Sequence, residues 1–161
     1  MKIKLVKFNK KFITTKYISW LNDKKLVKYS DQRLKKHTHE SCKLYFQNAK
    51  RNKDLFFAIV EKNTKKHVGN IYVKMDKVNN TGDIRILIGE SKKGYGFDAW
   101  NSAIKVLKKM NIRKITGGTI SINKAMIKIF KKSKMKFEYR KIKYYKRGNK
   151  FYDLIGYCLF T

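Results

Sequence analysis

The sequence predicts an α+β fold: one twisted, mostly antiparallel sheet of about seven strands with about four helices on its faces. Three observations predict it. The hydrophobic period switches repeatedly between two and about 3.6 residues, so strands and helices are interspersed. Three strand-like runs follow one another between the second and third helical patterns, which suggests an antiparallel meander. Proline is absent and no repeat or low-complexity linker interrupts the 161 residues, so a single domain over residues 1–161 is expected.

Each element has its own signal. Residues 2–8 alternate lysine with Ile3 and Leu5, as a half-buried strand does. Thr14 and Thr15 precede Tyr17, Ile18 and Leu21, which share one helical face up to Asn22 and Asp23. Residues 29–39 are polar and aperiodic and read as a loop. Residues 40–51 suit a second helix, with Leu44 and Asn48 bracketing Tyr45 and Phe46. The apolar run 55–60 is a strand, and 68–75 and 83–88 follow it with turn residues between. Over 97–110 the period changes, placing Trp100, Ala103, Ile104, Leu107 and Met110 on one helical face. Residues 113–120 form a strand, and 123–132 a helix with Met126, Ile129 and Phe130 inward. Strands 136–145 and 151–160 are joined through Arg147, Gly148, Asn149 and Lys150, a hairpin signal. Tyr139, Tyr144, Tyr145 and Tyr157 alternate along these two strands and read as packing residues.

The formal charge is +30, which by itself suggests a polyanionic partner such as nucleic acid or an acidic membrane. The distribution argues otherwise: only six of the 41 basic residues are arginine, and the lysines run from Lys2 to Lys150 without forming a block. Abundant Lys, Asn, Ile, Phe and Tyr with no Pro is the composition of an A/T-rich genome, so nucleic-acid binding is not expected. The remaining role for the charge is a field that attracts small anionic substrates. No apolar run is long enough to cross a membrane, and residues 1–4 begin an alternating pattern unlike a signal peptide. A cytoplasmic protein without a membrane role is expected. Cys42 and Cys158 are too few for a disulfide scaffold and read as reduced thiols. His37, His39 and Cys42 lie close in sequence, but their spacing matches no zinc pattern and a fourth ligand is missing, so no metal is expected.

The segment 83–100 carries the chemistry. A strand through Ile86, Leu87 and Ile88 passes Glu90, Ser91, Lys92 and Lys93 into Gly94, Tyr95, Gly96 and Phe97, where an amphipathic helix begins. Such glycines let backbone N–H groups converge on one point, and a helix start adds its dipole, which suits a diphosphate. A Rossmann loop needs a third glycine near Ala99 and a P-loop needs Gly-Lys-Ser/Thr; neither is present.

At these residues the chain resembles the GNAT N-acetyltransferases, in particular the branch of ribosomal-protein and amino-sugar N-acetyltransferases. Ile88-Gly89-Glu90, Lys93-Gly94-Tyr95-Gly96 and Asp98-Ala99-Trp100 are similar to that family's coenzyme A loop and helix. Gly118 to Asn123, then Met126 to Phe130 and Met135, are similar to its pantetheine strand and helix. Further similarity covers Trp20 to Asp23, Ser30 to Arg33, His37-Thr38 and Gly69 to Ile71. The resemblance implies a sheet whose central strands splay apart and acetyl-CoA as cosubstrate. It implies that Ile86, Leu87, Ile88, Ser91, Lys92, Lys93, Gly94, Tyr95, Gly96, Phe97, Asn123 and Phe130 line it. Three positions depart from the pattern. Ser91 stands where Gln or Arg is usual, Lys134 replaces a helix-ending Gly, and Phe130 replaces a Tyr whose hydroxyl protonates the leaving thiolate.

The implied reaction is direct attack of an amine on the thioester, dependent on alignment and on a group that removes the amine proton. Glu90 and His37 are the candidates, with Asp83 as a third; Ser121, Ser133 or water could meet the thiolate. The expected acceptor is a primary amine on a small molecule, an anionic nucleotide-linked amino sugar. The N-terminus of a ribosomal protein is the alternative acceptor, and a basic nucleic-acid-binding module the alternative of another class. The resemblance leaves room for a homodimer.

Overall fold

The computed structural model describes residues 1–90 and 94–161. Its strands are β1 (Ile3–Lys7), β2 (Leu55–Glu61), β3 (His67–Asp76), β4 (Thr81–Ile88), β5 (Lys114–Ile120), β6 (Lys136–Arg147) and β7 (Lys150–Phe160). Its helices are α1 (Thr15–Asn22), α2 (His39–Arg51), α3 (Tyr95–Lys109) and α4 (Lys124–Lys132). The seven strands form one sheet in the order β1-β2-β3-β4-β5-β7-β6, antiparallel except where β4 meets β5. Element types and order therefore agree with the periodicity. Two 3-10 turns, Lys10–Phe12 and Asp31–Leu34, were not legible; the second lies inside the expected loop, where Ser30 caps it through Gln32 N–H at 3.2 Å.

Strand alternation separates two cores. On one face Ile71, Val73, Ile84 and Ile115 meet Ala99, Trp100, Ala103 and Leu107 of α3, and Phe130 of α4. On the other, Phe56, Ala58 and Val60 of β2 meet Phe8, Tyr17, Trp20, Cys42 and Ala49. Each such large side chain contributes roughly 1.5–3 kcal/mol by leaving water. Spacings of three and four residues along α3 explain its helical form and its deep burial. In α2 the buried stripe is Cys42, Phe46 and Ala49, spaced i, i+4, i+7, so Leu44 turns to solvent at 57% exposure. Met110 ends α3 as its C-cap and is likewise exposed.

The β6–β7 hairpin turns at Gly148, whose φ of 58° favours glycine at the first turn position. Strand β6 is a sheet edge with two register shifts, at Phe137/Tyr139 and Lys141/Tyr145. Asp153 holds the second: it accepts from Lys143 N–H at 2.8 Å and from Arg140 Nε at 2.5 Å. These donors keep its carboxyl below the usual range. The four tyrosines part company, which corrects the expectation that all of them pack. Tyr157 is core, whereas Tyr144 is swung outward to 56% exposure. Among the described residues, no helix is long and apolar enough to cross a membrane.

Candidate active site

The central feature is a gap. Strands β4 and β5 pair in parallel only through Thr81, Gly82 and Asp83 with Lys114, Ile115 and Thr116. Beyond Asp83, β4 continues to Ile88 bonded to β3, and β5 continues to Ile120 bonded to β7. The facing edges from Ile84 onward and from Gly117 onward have no ladder between them, so the strands splay and the sheet opens. Ile86, Leu87 and Ile88 form the β4 wall of the gap, and Gly117 to Ile120 form the other.

Helix α3 begins at the open end of β4. Its N-cap is Gly94, in the left-handed region at φ 76°, with no side chain to cap the helix. Thr14, Thr38 and Asn123 do cap α1, α2 and α4. The first-turn amides of α3, including Tyr95, Gly96 and Phe97, thus lack a side-chain cap among the described residues and carry the positive end of the dipole. Gly96 is close-packed: a Cβ there would lie 3.2 Å from Ile129 Cδ1 and 3.8 Å from Ile88 Cγ1. These contacts hold the helix start against β4 and α4. The Tyr95 hydroxyl donates to Glu61, and Phe97 carries Lys132 Nζ 5.8 Å above its ring. Ser91, Lys92 and Lys93 lie outside the described residues.

The other expected contacts have these places. Asn123 Oδ1 accepts from Met126 N–H at 3.3 Å while its Nδ2 donates to Thr119 at 3.0 Å, tying α4 to the end of β5. Phe130 is fully buried between Trp100 and Tyr157, with ring centroids 5.2 and 4.9 Å away. Ser121 follows β5 and donates its amide to Asp153 O at 2.9 Å. Ser133 is buried, with its hydroxyl unpaired among the described residues.

Glu90 and His37 are not brought together. Glu90 forms an ion pair with Lys16 near the start of α1. His37 exchanges two 2.8 Å bonds with Asn22 at the end of that helix. Lys16 and Asn22 are six residues apart, about 9 Å of helix. The His37 Nε2 lies 3.0 Å from Gln32 O; a carbonyl only accepts, so Nε2 is the donor of this bond. Cys42 is buried under α2 and its thiol is pushed up by desolvation, while His39 is exposed beside Glu40. Among the described residues, no group of three His, Cys, Asp or Glu is arranged to hold a metal.

A second group lies on the sheet face that α1 and α2 cover only in part; it contains Asp83, the third candidate base, and Tyr139, whose place beside the gap sequence reasoning missed by reading it as packing. Asp83 sits at the vertex of the gap, accepting from Thr116 at 2.9 Å and from Arg85 at 3.3 Å. The Tyr139 ring lies over Gly156, where a Cβ would come within 2.2 Å of it. Its hydroxyl reaches 3.5 Å from the Cβ position of Gly118, on the β5 wall. Burial, Asp83 and Glu138 push its acidity down, so the phenol stays protonated. Tyr72, with Arg85 5.8 Å over its ring, and Tyr45 continue this aromatic surface. The available signal was glycine inside strands at 118 and 156, which marks a close approach.

Comparison with known proteins agrees with this geometry. The family model described as an acetyltransferase (GNAT) domain matches residues 4–136. Among solved structures, a GNAT-family acetyltransferase from Bacillus anthracis superposes with TM-score 0.83 at 20% identity, covering 99% of this chain and 95% of that one. The spermidine N-acetyltransferase from Vibrio cholerae, in complex with CoA and spermine, superposes with TM-score 0.83 at 12% identity and the same coverage. Ribosomal-protein-S5-alanine acetyltransferase from Vibrio fischeri gives TM-score 0.80 at 19% identity, covering 99% and 93%. None of the curated proteins compared matches by sequence. Since the family model spans most of the sequence and the sheet opens where that fold requires, the chain belongs to the GNAT family and is an acetyltransferase.

Proposed function

We propose that the protein transfers acetyl from acetyl-CoA directly to the primary amine of a small molecule, a nucleotide-linked amino sugar. The observation that carries the donor half is the gap between β4 and β5 opening beside the first turn of α3. Acetyl-CoA supplies the activated acetyl group as a thioester. The α3 amides at Tyr95, Gly96 and Phe97 take its diphosphate, with Lys92 and Lys93 adding charge. Those backbone N–H groups near Ile86 to Ile88 that point away from β3, into the gap, face the thioester and hold negative charge developing on its carbonyl oxygen. Asn123 orients the strand-to-helix corner along which the thiol-bearing arm runs, and Phe130 supports the β5 wall from below.

Protons must leave the amine and reach the sulfur. Asp83, at the vertex, or His37, in the connection before α2, takes the first proton; Glu90, paired with Lys16, sets the charge at the end of β4. The Phe130 ring has no proton to give. Tyr139, protonated and directed at Gly118, does the work assigned in relatives to that missing hydroxyl, with Ser121 or water as the alternative. The acceptor enters from the Tyr139 face, drawn by a net charge of +30 if it is anionic.

The test is a thiol-release assay with acetyl-CoA against amino-sugar nucleotides, a peptide ending in the N-terminus of a ribosomal protein, and spermidine. Release with an amino-sugar nucleotide alone is the expected result. Turnover of the peptide alone would replace the sugar by a protein acceptor, and silence with every nucleotide sugar removes this reading of the acceptor.

A further inference from the structure

Two arginines far apart in sequence are anchored to one short segment. Arg147, the last residue of β6, donates through Nη1 to the carbonyl of Lys28, in the connection between α1 and α2. Arg33 donates through Nη1 to the carbonyl of Ser30 at 3.3 Å and lies 3.4 Å from Asp31 Oδ1. The anchoring carbonyls are two residues apart, at most about 7 Å along the chain.

The pair is under-satisfied. Nε and Nη2 of Arg147 are buried and meet no acceptor among the described residues. Buried guanidinium donors without a partner are rare, because the charge has left water and gained nothing. One carboxylate, Asp31, is the acidic charge felt by both guanidinium groups; its contact with Arg33 is long. Burial first, then the charge of Arg33, weaken the hold of Arg147 on its proton below that of an ordinary guanidinium, as expected where two cations share too little negative charge. Arg33 also opens onto a shallow cavity of about 270 Å³ that Lys24, Lys35 and Lys36 line with it. Tyr145 offers a ring face 6.0 Å from the Arg147 guanidinium.

The pair also lies at a useful distance from the gap. Strand β5 ends at Ile120 opposite Leu154, whereas Arg147 pairs with Lys150, four residues further along β7. That is about 13 Å beyond the open end of the gap, on the hairpin that carries Tyr139.

We infer that Arg33 and Arg147 form an anion-binding subsite, between the α1–α2 connection and the β6–β7 hairpin, for a phosphate of the acceptor. Two guanidinium forks match the planar sets of oxygens on a phosphate or diphosphate, and each can bind in a bidentate way. The subsite rests on the acceptor reading above and deepens it: the acceptor carries its amine at one end and a phosphate at the other.

Isothermal titration separates the two ideas. Full-length protein is first saturated with CoA, which fills the diphosphate site at α3, and is then titrated with inorganic pyrophosphate and with uridine diphosphate. The expected result is one site per chain, weakened at least tenfold in Arg33→Gln and in Arg147→Gln, with CoA affinity unchanged in both. Arg147→Lys, which keeps the charge and loses the fork, should weaken it too. Pyrophosphate binding that disappears once CoA is present, or that is equal in wild type and both Gln variants, overturns the subsite and leaves the acetyltransferase reading standing. Failure of CoA itself to bind, with arginine-dependent pyrophosphate binding intact, would keep the anion site and remove its assignment to an acceptor.

Discussion

Gly156 has no side chain, and that absence positions a hydroxyl. Any Cβ at 156 would drive into the Tyr139 ring, so glycine lets the ring lie flat across β7 and reach the β5 wall at Gly118. At the end of β4, a Cβ on Gly89 would fall 2.0 Å from the Trp20 indole, so α1 approaches the strand only because residue 89 is glycine. His67 shows the opposite use of a side chain, filling space among Phe12, Tyr17 and Trp20; desolvation there lowers its affinity for a proton. Of these, Tyr139 has the clearest consequence for chemistry. Removing its hydroxyl in Tyr139→Phe preserves the ring over Gly156. The expected outcome is a fall in kcat of about 100-fold, at the low end of what a positioned acid contributes, with little change in KM for acetyl-CoA. Steady-state kinetics at saturating acceptor measures it; an unchanged kcat assigns the thiolate proton to Ser121 or water.

Among elements, the decisive one is the short parallel contact between β4 and β5. Three paired residues on each side join the halves of the sheet, and everything beyond them is available to a ligand. Keeping such a gap open requires each strand to be held from outside, β4 by β3 and β5 by β7. Asn123 adds a brace at the far end, with one atom capping α4 and another bonded to Thr119. Asn123→Ala should therefore cost about 1 kcal/mol from the lost cap, a fall of roughly 2–4 °C in Tm for a chain of this size. Calorimetry reads that loss, and a Tm equal to wild type shows that the cap contributes nothing. The bulged strand β6 is braced differently, by the buried Asp153 carboxylate between Lys143 N–H and Arg140. Its bulge carries the hairpin tip, and with it Arg147, toward Lys28.

For the whole molecule, the +30 charge raises the choice between a polyanion binder and an enzyme that attracts anionic metabolites. The two differ in what stabilises the fold. A ligand at 100 times its Kd adds about 2.7 kcal/mol to stability. Acetyl-CoA at such a concentration should raise Tm by several degrees and an RNA oligonucleotide should not, as followed by thermal shift at 0.15 M salt. The reverse order, with an RNA shift that collapses as salt rises, assigns the basic surface to nucleic acid and not to an anionic acceptor.

The sequence by itself determined the elements and their order, because hydrophobic period is a local property written in adjacent residues. Leu55 to Val60 announces a strand and Trp100 to Leu107 a helix without reference to the rest of the chain. It also marked the corner after β4 at Gly94 and Gly96, where α3 begins. Tertiary structure alone decided that Asp83 is a vertex, that Tyr139 crosses Gly156 and that Glu90 and His37 stand at opposite ends of α1. It alone brought Arg147 to Lys28 across 119 positions of chain. Such meetings depend on sheet order, register and two bulges in β6, which are properties of pairs of distant segments and leave no period in either one.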